Sequence, residues 1–250
     1  GLTGHNSSSQ SGVIVQLPAS STIYYLFTVD ASSGVTGNGL FYSEIDMSLN
    51  GGLGDITANK NIMLFTNGDE KVTAICHQNG SDFWIVGRVR NTNTYNSYLL
   101  TSSGISMTPV VTSIGPIFSG VTIGYLKGNS SGNMLVATNY NQSPQVNVFD
   151  FDNSTGMLSN NQNFTNVPSQ PSYGIEFSPD ANLLYISTVD GSSGQVFQYN
   201  LLAGSFMDIN NSGIQIGTTS GSGGGLQLAP DGKIYHANGS SMSSNLSFIN

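Results

Sequence analysis

The chain has 250 residues, of which 8% are charged and 38% are hydrophobic. Its 14 acidic residues outnumber its 6 basic ones, and the resulting net charge of −8 excludes the positive surface that binds nucleic acid. The single cysteine, Cys76, excludes an intrachain disulfide, and together with three histidines it is too few for a zinc site. We interpret Cys76 as a small buried hydrophobic residue.

The composition is typical of β-structure with many turns, because Gly, Ser, Asn and Thr accompany Val, Ile, Tyr and Phe. No stretch approaches the roughly 18 apolar residues that span a bilayer, so we expect no membrane insertion. We interpret residues 1–250 as a single domain. The sequence starts without an initiator Met or a signal segment and ends within a predicted strand, so we expect a longer multidomain protein around it.

Five segments share one pattern, in which a short strand, a polar turn and a second strand follow one another. Two of the turns contain Asn79-Gly80 and Asp231-Gly232, which are dipeptides of tight hairpins. The five hairpins recur about every 50 residues, a period typical of β-propellers. In chain order they are 16–27, 76–87, 127–138, 176–187 and 227–238.

Further strands are predicted after each hairpin. A third strand is predicted at 39–48, 95–102, 145–152, 195–201 and 245–250, and a fourth at 61–66, 109–115, 161–167 and 212–218. Four strands per repeat are typical of a propeller blade, because an isolated meander cannot bury both of its faces. No segment has helical periodicity over about 11 residues. The sequence therefore predicts an all-β propeller of about five four-stranded blades, which can belong to a larger ring.

Six segments, taken in order, resemble one known family. They are GLFYSEIDMSLNGGLGDITANKNIMLF, EKVTAICHQNGSDFWIV, SYLLTSSGIS, VFDFDNSTG, YGIEFSPDANLLYIS and LQLAPDGKIYHA. Together they resemble the β-propeller domain of large secreted Bacteroidota proteins that carry C-terminal type IX secretion (gliding-motility-type) sorting domains. The resemblance implies a secreted, surface-associated module and supplies no catalytic residues. This sequence lacks the sorting domain and the further blade that family members usually have before GLTGH.

One segment has the spacing of a weak calcium candidate. Asp150, Asp152 and Ser154 alternate like the oxygen ligands of a calcium loop. The glycine follows one position late and no acidic residue closes the shell, so we favour a tight hairpin turn at Asn153 and Gly156. We predict neither a metal nor a cofactor.

Aromatic side chains near strand ends are candidates for contact with a ligand, since exposed rings stack on sugars. Tyr95, Tyr140 and Tyr173 have such positions, whereas Tyr25 and Trp84 fit the core between blades.

Charged and titratable residues near the first strands of the repeats are the other candidates. Lys127 and Glu176 share one repeat position in adjacent units, which predicts an ion pair between blades beside the channel. The alternative is that both side chains point into solvent, where a pair contributes little. His77 and His236 lie near the same strands and are candidates for ligand contact.

Two low-complexity features are interpreted structurally. The run GSGGG at 221–225 is followed by a strand, so its glycines fit a close approach of strands better than a phosphate loop. Nine Asn-x-Ser/Thr triplets allow glycosylation, with their asparagines at 6, 79, 129, 141, 153, 163, 210, 238 and 245.

Three histidines without a G-x-S-x-G or H-E-x-x-H motif give weak support for catalysis. We therefore expect a non-enzymatic module, secreted or at the cell surface, for adhesion, ligand binding or scaffolding. Its expected partner is a protein, a glycan or a surface. Two alternatives stay open, namely a channel-centred hydrolase or lyase of the lactonase type and a structural subunit of a larger extracellular assembly.

Overall fold

The computed structural model describes residues 1–31, 39–120, 123–140, 142–143, 145–167, 169–190, 193–220, 223–237 and 246–250. Within these ranges, no helix is long and apolar enough to cross a membrane.

Two antiparallel sheets form from the first half of the chain. The first contains β1 (Gly12–Gln16), β2 (Ile23–Val29), β3 (Leu40–Asp46), β4 (Asp55–Ile56) and β5 (Ile62–Phe65), the last two pairing with β3. The second contains β6 (Gly68–Cys76), β7 (Phe83–Val89), β8 (Thr94–Thr101), β9 (Gly104–Ile105) and β10 (Val110–Ser113), the last two pairing with β8.

Three further sheets follow. The third contains β11 (Leu126–Gly128), β12 (Met134–Thr138), β13 (Val146–Asp152) and β14 (Met157–Asn163). The fourth contains β15 (Ser172–Phe177), β16 (Leu183–Thr188), β17 (Ser193–Asn200) and β18 (Ile214–Ser220). The fifth contains β19 (Leu226–Leu228), β20 (Ile234–Ala237) and β21 (Leu246–Ile249).

The prediction of an all-β propeller with five blade repeats is confirmed. Each predicted hairpin supplies the first two strands of its sheet, and each predicted third strand pairs with the second. The pairing is the same in the third and fourth sheets, where Lys127 lies opposite Val136 and Glu176 lies opposite Tyr185. It shifts by one residue in the fifth sheet, where Gln227 lies opposite Tyr235. The larger ring stays a prediction.

The chain forms two compact units, one of residues 1–123 with 150–159 and the other of residues 124–149 with 160–250. In the first unit, buried side chains such as Phe27 and Ile85 join the first and second sheets in one core. In the second unit, one core joins the third and fourth sheets, and a smaller one joins the fourth and fifth sheets through Tyr185, Leu226 and Ile234. Stacked sheets thus bury the faces that each meander leaves open. The single domain stays a prediction.

Two predicted elements differ from the structure. The strand predicted at 161–167 is β14 and begins at Met157, because the mostly polar sequence of this outer strand hides its alternation. A short helix, α1 (Phe206–Asn211), precedes β18 and is missing from the prediction. Its signal is a capping box in which Ser205 and Asp208 bond each other's backbone N–H. Six residues are too few for a periodicity argument.

The interpretation of Cys76 as buried is wrong, because its side chain is exposed. Cys76 ends β6, and strand alternation places the neighbouring Ile75 in the core and Cys76 on the opposite face. The other repeats have Gln16, Lys127 and Gln227 at this position, so the repeat pattern itself assigned it to a polar row.

The fold buries one of the asparagines whose sequence triplets allow glycosylation. Asn210 is buried, and its side-chain oxygen accepts hydrogen bonds from the backbone N–H groups of Thr165 and Asn166. A glycan on the side-chain nitrogen of Asn210 would break these hydrogen bonds, which hold α1 to the segment at Thr165 and Asn166. Asn141, Asn238 and Asn245 lie outside the described residues.

The glycine run permits close backbone contacts, as predicted for its described part. A Cβ atom on Gly223 would overlap the carbonyl of Thr188, and one on Gly224 would overlap that of Ala237. Residues 221 and 222 lie outside the described ranges.

Trp84 is a core residue, as predicted, and it packs on the turn between β13 and β14. Its Nε1–H donates to the backbone oxygen of Asn153 at 2.9 Å, and Gly156 lies under its ring. Gly156 has a φ of +77°, so the turn needs glycine for its backbone as well as for space.

We predict that Gly156→Ala lowers the free energy of unfolding by about 3 kcal/mol, from a left-handed backbone and an overlap with Trp84. The matched control is Gly80→Ala in the same unit, where φ is +74° and a Cβ meets open space. It should cost about 1 kcal/mol. Urea unfolding of the full chain measures both, and equal costs would contradict the role of the Trp84 contact.

Candidate functional site

The second unit has a charged pair on its first strands. The Nζ of Lys127 in β11 lies 2.7 Å from Oε2 of Glu176 in β15, so the predicted ion pair between adjacent sheets is confirmed. The side chain of Lys127 is 24% exposed, whereas that of Glu176 is 3% exposed. The side chain of Lys127 therefore reaches solvent, and the remaining N–H groups of its amine have no partner within the described residues.

The carboxylate of Glu176 joins the first strands of three sheets. Its Oε2 also accepts the backbone N–H of Leu228 in β19 at 2.8 Å, and its Oε1 accepts the N–H of Phe177 at 3.0 Å. Hydrogen bonds to both oxygens hold the group in place. Glu176 is thus built as an anchor, and a general base would need one of these oxygens free.

Two tyrosines lie next to this pair. The rings of Tyr125 and Tyr173 are tilted against each other with centroids 5.5 Å apart, and both side chains are half-buried. Burial is the main cause that raises the pKa of Tyr125 to about 12, and the nearby Tyr173 and Glu176 contribute smaller increases. Its hydroxyl lies against Gly225, where any side chain would collide with it. Tyr173, a predicted contact residue, thus packs in an aromatic pair with Tyr125.

His236 has a different environment from the one that the sequence indicated. It lies in β20, is 1% exposed, and its Nε2 accepts the backbone N–H of Gly224 at 3.2 Å. Its Nδ1 is buried without a partner in the described part of the chain. Burial lowers the pKa of this imidazole, so the neutral ring is favoured.

The first unit contains a buried charge cluster that sequence reasoning missed. Asp69 accepts hydrogen bonds at one oxygen from Lys71 at 3.2 Å and from Arg88 at 3.1 Å, and all three side chains are at most 1% exposed. Burial lowers the pKa of Lys71, although Asp69 opposes the shift. The available signal was the triplet Asp-Glu-Lys inside the strand sequence GDEKVTAIC, since charged residues are rarely buried unless paired.

Tyr95 belongs to the surroundings of this cluster, and the prediction that it contacts a ligand is corrected. It is 3% exposed, and its ring centroid lies 5.9 Å from the guanidinium carbon of Arg88. The ring of Phe118 lies closer to the same carbon, at 4.8 Å. Tyr95 is near a strand end, as predicted, but packing on a buried cation removes it from the surface.

The other two contact candidates are half-buried. The ring of His77 lies 5.8 Å from that of Trp84, and its Nδ1 accepts the backbone N–H of Asn79. His77 therefore stabilises the turn between β6 and β7. Tyr140 follows β12 and keeps part of its ring exposed.

The weak calcium candidate forms the turn that the sequence favoured. One oxygen of Asp152 accepts the backbone N–H and the hydroxyl of Ser154, and the other accepts the hydroxyl of Thr155. These hydrogen bonds lower the pKa of Asp152 to about 2, and the bond from the Ser154 hydroxyl has the largest effect. Asp150 lies exposed at alternate spacing on the same strand. Among the described residues, no three His, Cys, Asp or Glu side chains are grouped to hold a metal.

Comparisons with known proteins agree with the fold. Residues 133–238 match the family model described as "Lactonase, 7-bladed beta-propeller". Curated proteins give no match.

Solved structures resemble the chain over most of its length. A putative 6-phosphogluconolactonase from Bacteroides fragilis is 14% identical with a TM-score of 0.50, covering 98% of this chain and 68% of its own. A gluconolactonase from Xanthomonas campestris is 12% identical with a TM-score of 0.50, covering 86% and 66%. The nidogen/laminin complex contains a chain that is 12% identical with a TM-score of 0.52, covering 86% and 70%.

These likenesses identify the propeller fold and no activity, since one fold serves both enzymes and binding proteins. The family model covers less than half of the chain, from the residue before β12 to the residue after β20.

We predict that Lys127→Met lowers the free energy of unfolding by about 2 kcal/mol, because it leaves the buried Glu176 carboxylate without its cation. The double change Lys127→Met with Glu176→Gln removes both charges and keeps an acceptor for Leu228, so it should cost less than the single change. Urea unfolding checks the order, and a double variant less stable than Lys127→Met would contradict the stranded charge.

A second prediction concerns the pH dependence of stability. His236 has a folded-state pKa below its usual 6.5, so the unfolded chain binds the proton first as the pH falls. The contribution of the neutral His236 to the free energy of unfolding is complete above about pH 6.5 and is lost as the pH falls below that value. His236→Gln should flatten the decline in unfolding free energy between about pH 7 and 5. Parallel pH curves for wild type and His236→Gln would contradict this assignment.

Proposed function

We propose that this chain is a lactonase-type propeller hydrolase whose site lies on the first strands of the second unit. The match of residues 133–238 to the lactonase propeller model is the observation that carries the proposal. It favours the hydrolase alternative over the non-enzymatic module that the sequence alone suggested.

The residues next to Glu176 support binding of a polar ring. The half-buried rings of Tyr125 and Tyr173 offer an apolar surface of the kind that stacks on sugars. Lys127 follows Tyr125 by two residues, its side chain is partly exposed, and its amine is held by Glu176. Its free N–H groups suit the negative oxygen that develops when water attacks a lactone carbonyl.

Each group has a defined part in this scheme. Lys127 stabilises the developing oxyanion, Glu176 positions Lys127, and the two tyrosines orient the ring. Tyr125 stays protonated at neutral pH, so it acts as a hydrogen-bond donor and not as a base. The attacking water comes from solvent and gives up its proton to solvent, the ring C–O bond breaks, and the released ring oxygen takes up a proton from solvent.

The test is hydrolysis of δ-gluconolactone and γ-butyrolactone by the purified full chain, measured against spontaneous hydrolysis. We predict that Lys127→Met lowers kcat by about 100-fold, the usual loss for one oxyanion donor. Lys60→Met is the matched control, because Lys60 is exposed and lies in the other unit. It should retain full activity.

The double variant Lys127→Met with Glu176→Gln separates catalysis from folding. It should be folded and still inactive, because it restores charge balance without restoring the amine. A wild-type chain no faster than the spontaneous reaction would overturn the hydrolase, and an active double variant would overturn the role of Lys127.

A second candidate function is a secreted, non-enzymatic module that binds a glycan or a protein at the cell surface. The observation in its favour is that both oxygens of Glu176 are engaged by donors. The resemblance to type IX secretion propellers supports the location. Glycan binding that is lost in Tyr173→Ala, together with no lactone hydrolysis, would favour this candidate.

A further inference from the structure

His236 occupies a position that is apolar or aromatic in the other four repeats. The same repeat position holds Tyr25, Ile85, Val136 and Tyr185, and all four are buried. A buried polar group is costly unless it is hydrogen bonded. His236 is 1% exposed, yet its Nδ1 has no partner within the described ranges. This free position is a reason to look for a ligand.

Hydrogen bonds fix the backbone at Gly224, and one bond from Gly224 sets the tautomer of His236. The N–H of Gly174 donates to Oγ of Ser187, and this hydroxyl donates to the backbone oxygen of Gly224. The N–H of Gly224 then donates to Nε2 of His236. Because Nε2 is an acceptor, the neutral ring carries its proton on Nδ1. His236 therefore presents an N–H donor at Nδ1.

A cleft of about 120 Å³ between the fourth and fifth sheets has His236 in its lining. Its walls include Val196, Ile216 and Thr218 on one side and Ser247 and Ile249 on the other, with His236 between them. A dry apolar cavity of roughly 150 Å³ holds a benzene molecule, so this cleft suits a ring of five or six heavy atoms. Among its described lining residues none is a carboxylate, lysine or arginine, which disfavours a phosphorylated ligand.

We propose that the cleft binds a small, neutral ring that carries a carbonyl group, with the carbonyl oxygen accepting the Nδ1–H of His236. The apolar part of the ring packs on Val196 and Ile216. Because Nδ1 is itself buried, the carbonyl has to displace the side chains that cover it. Lactones belong to this chemical class, and only that link rests on the proposed function.

The test uses cyclopentanone as the probe and cyclopentane as the matched ring without an acceptor. Both are titrated into the full-length chain while the ring nitrogens of His236 are followed by ¹⁵N NMR. We expect cyclopentanone to bind in the millimolar range, as is usual for so few atoms, and to shift the Nδ1 resonance. Cyclopentane should bind about fivefold more weakly, for want of one hydrogen bond.

His236→Phe should remove the preference for cyclopentanone, and His77→Phe should retain it. If His236→Phe does not fold, the comparison of the two rings on the wild-type chain still decides. Equal binding of the two rings, or cyclopentanone binding that leaves the His236 resonances unchanged, overturns the proposal. Neither probe is hydrolysed, so the outcome of this binding test is separate from that of the lactonase assay. Specific binding together with no lactone hydrolysis would overturn the proposed hydrolase and leave this proposal standing.

Discussion

The second unit depends on one buried carboxylate. Glu176 bonds the Lys127 amine in β11, the backbone of its own strand β15 and the backbone of Leu228 in β19. A hydrophobic core holds sheets together without direction, whereas these bonds fix how three neighbouring strands are aligned. The cost of removing the charges from water is offset by placing the cation where it is still a quarter exposed.

The first unit also contains paired charges, and there the charged side chains are fully buried. Asp69 holds Lys71 and Arg88 together, and the guanidinium packs against Phe118. The cluster lies at the start of β6, where the pairing with β7 is irregular between Gly68 and Val72. In this stretch, side chains accept two of the backbone N–H groups: Asp69 accepts that of Glu70, and Gln10 accepts that of Val72. This cluster is closed to solvent, which makes it a structural element, whereas the Lys127 amine is accessible for chemistry.

The residues considered for function differ mainly in whether their polar atoms are already used. The acceptor atoms of Asp152 and His77 make hydrogen bonds within the turns in which these residues lie, and Tyr95 packs on a buried cation. Lys127 and His236 each retain donors that no described residue accepts. Unused donors in or near a cavity are the features that distinguish a site from a scaffold, because burying them without a partner costs free energy.

The sequence alone determined the repeated architecture, because strand alternation, turn residues and a period near 50 residues are local properties that need no knowledge of packing. It also placed Lys127 beside Glu176, since equal repeat positions lie at equal depth in adjacent blades. It could not determine that Tyr95 is covered, because burial depends on which face of a strand meets the next sheet. Nor could it assign the Asp69 cluster, the hydrogen bonds of Glu176 or the free nitrogen of His236. Those follow from backbone groups and side chains that are distant in sequence and that only the tertiary structure brings within bonding distance.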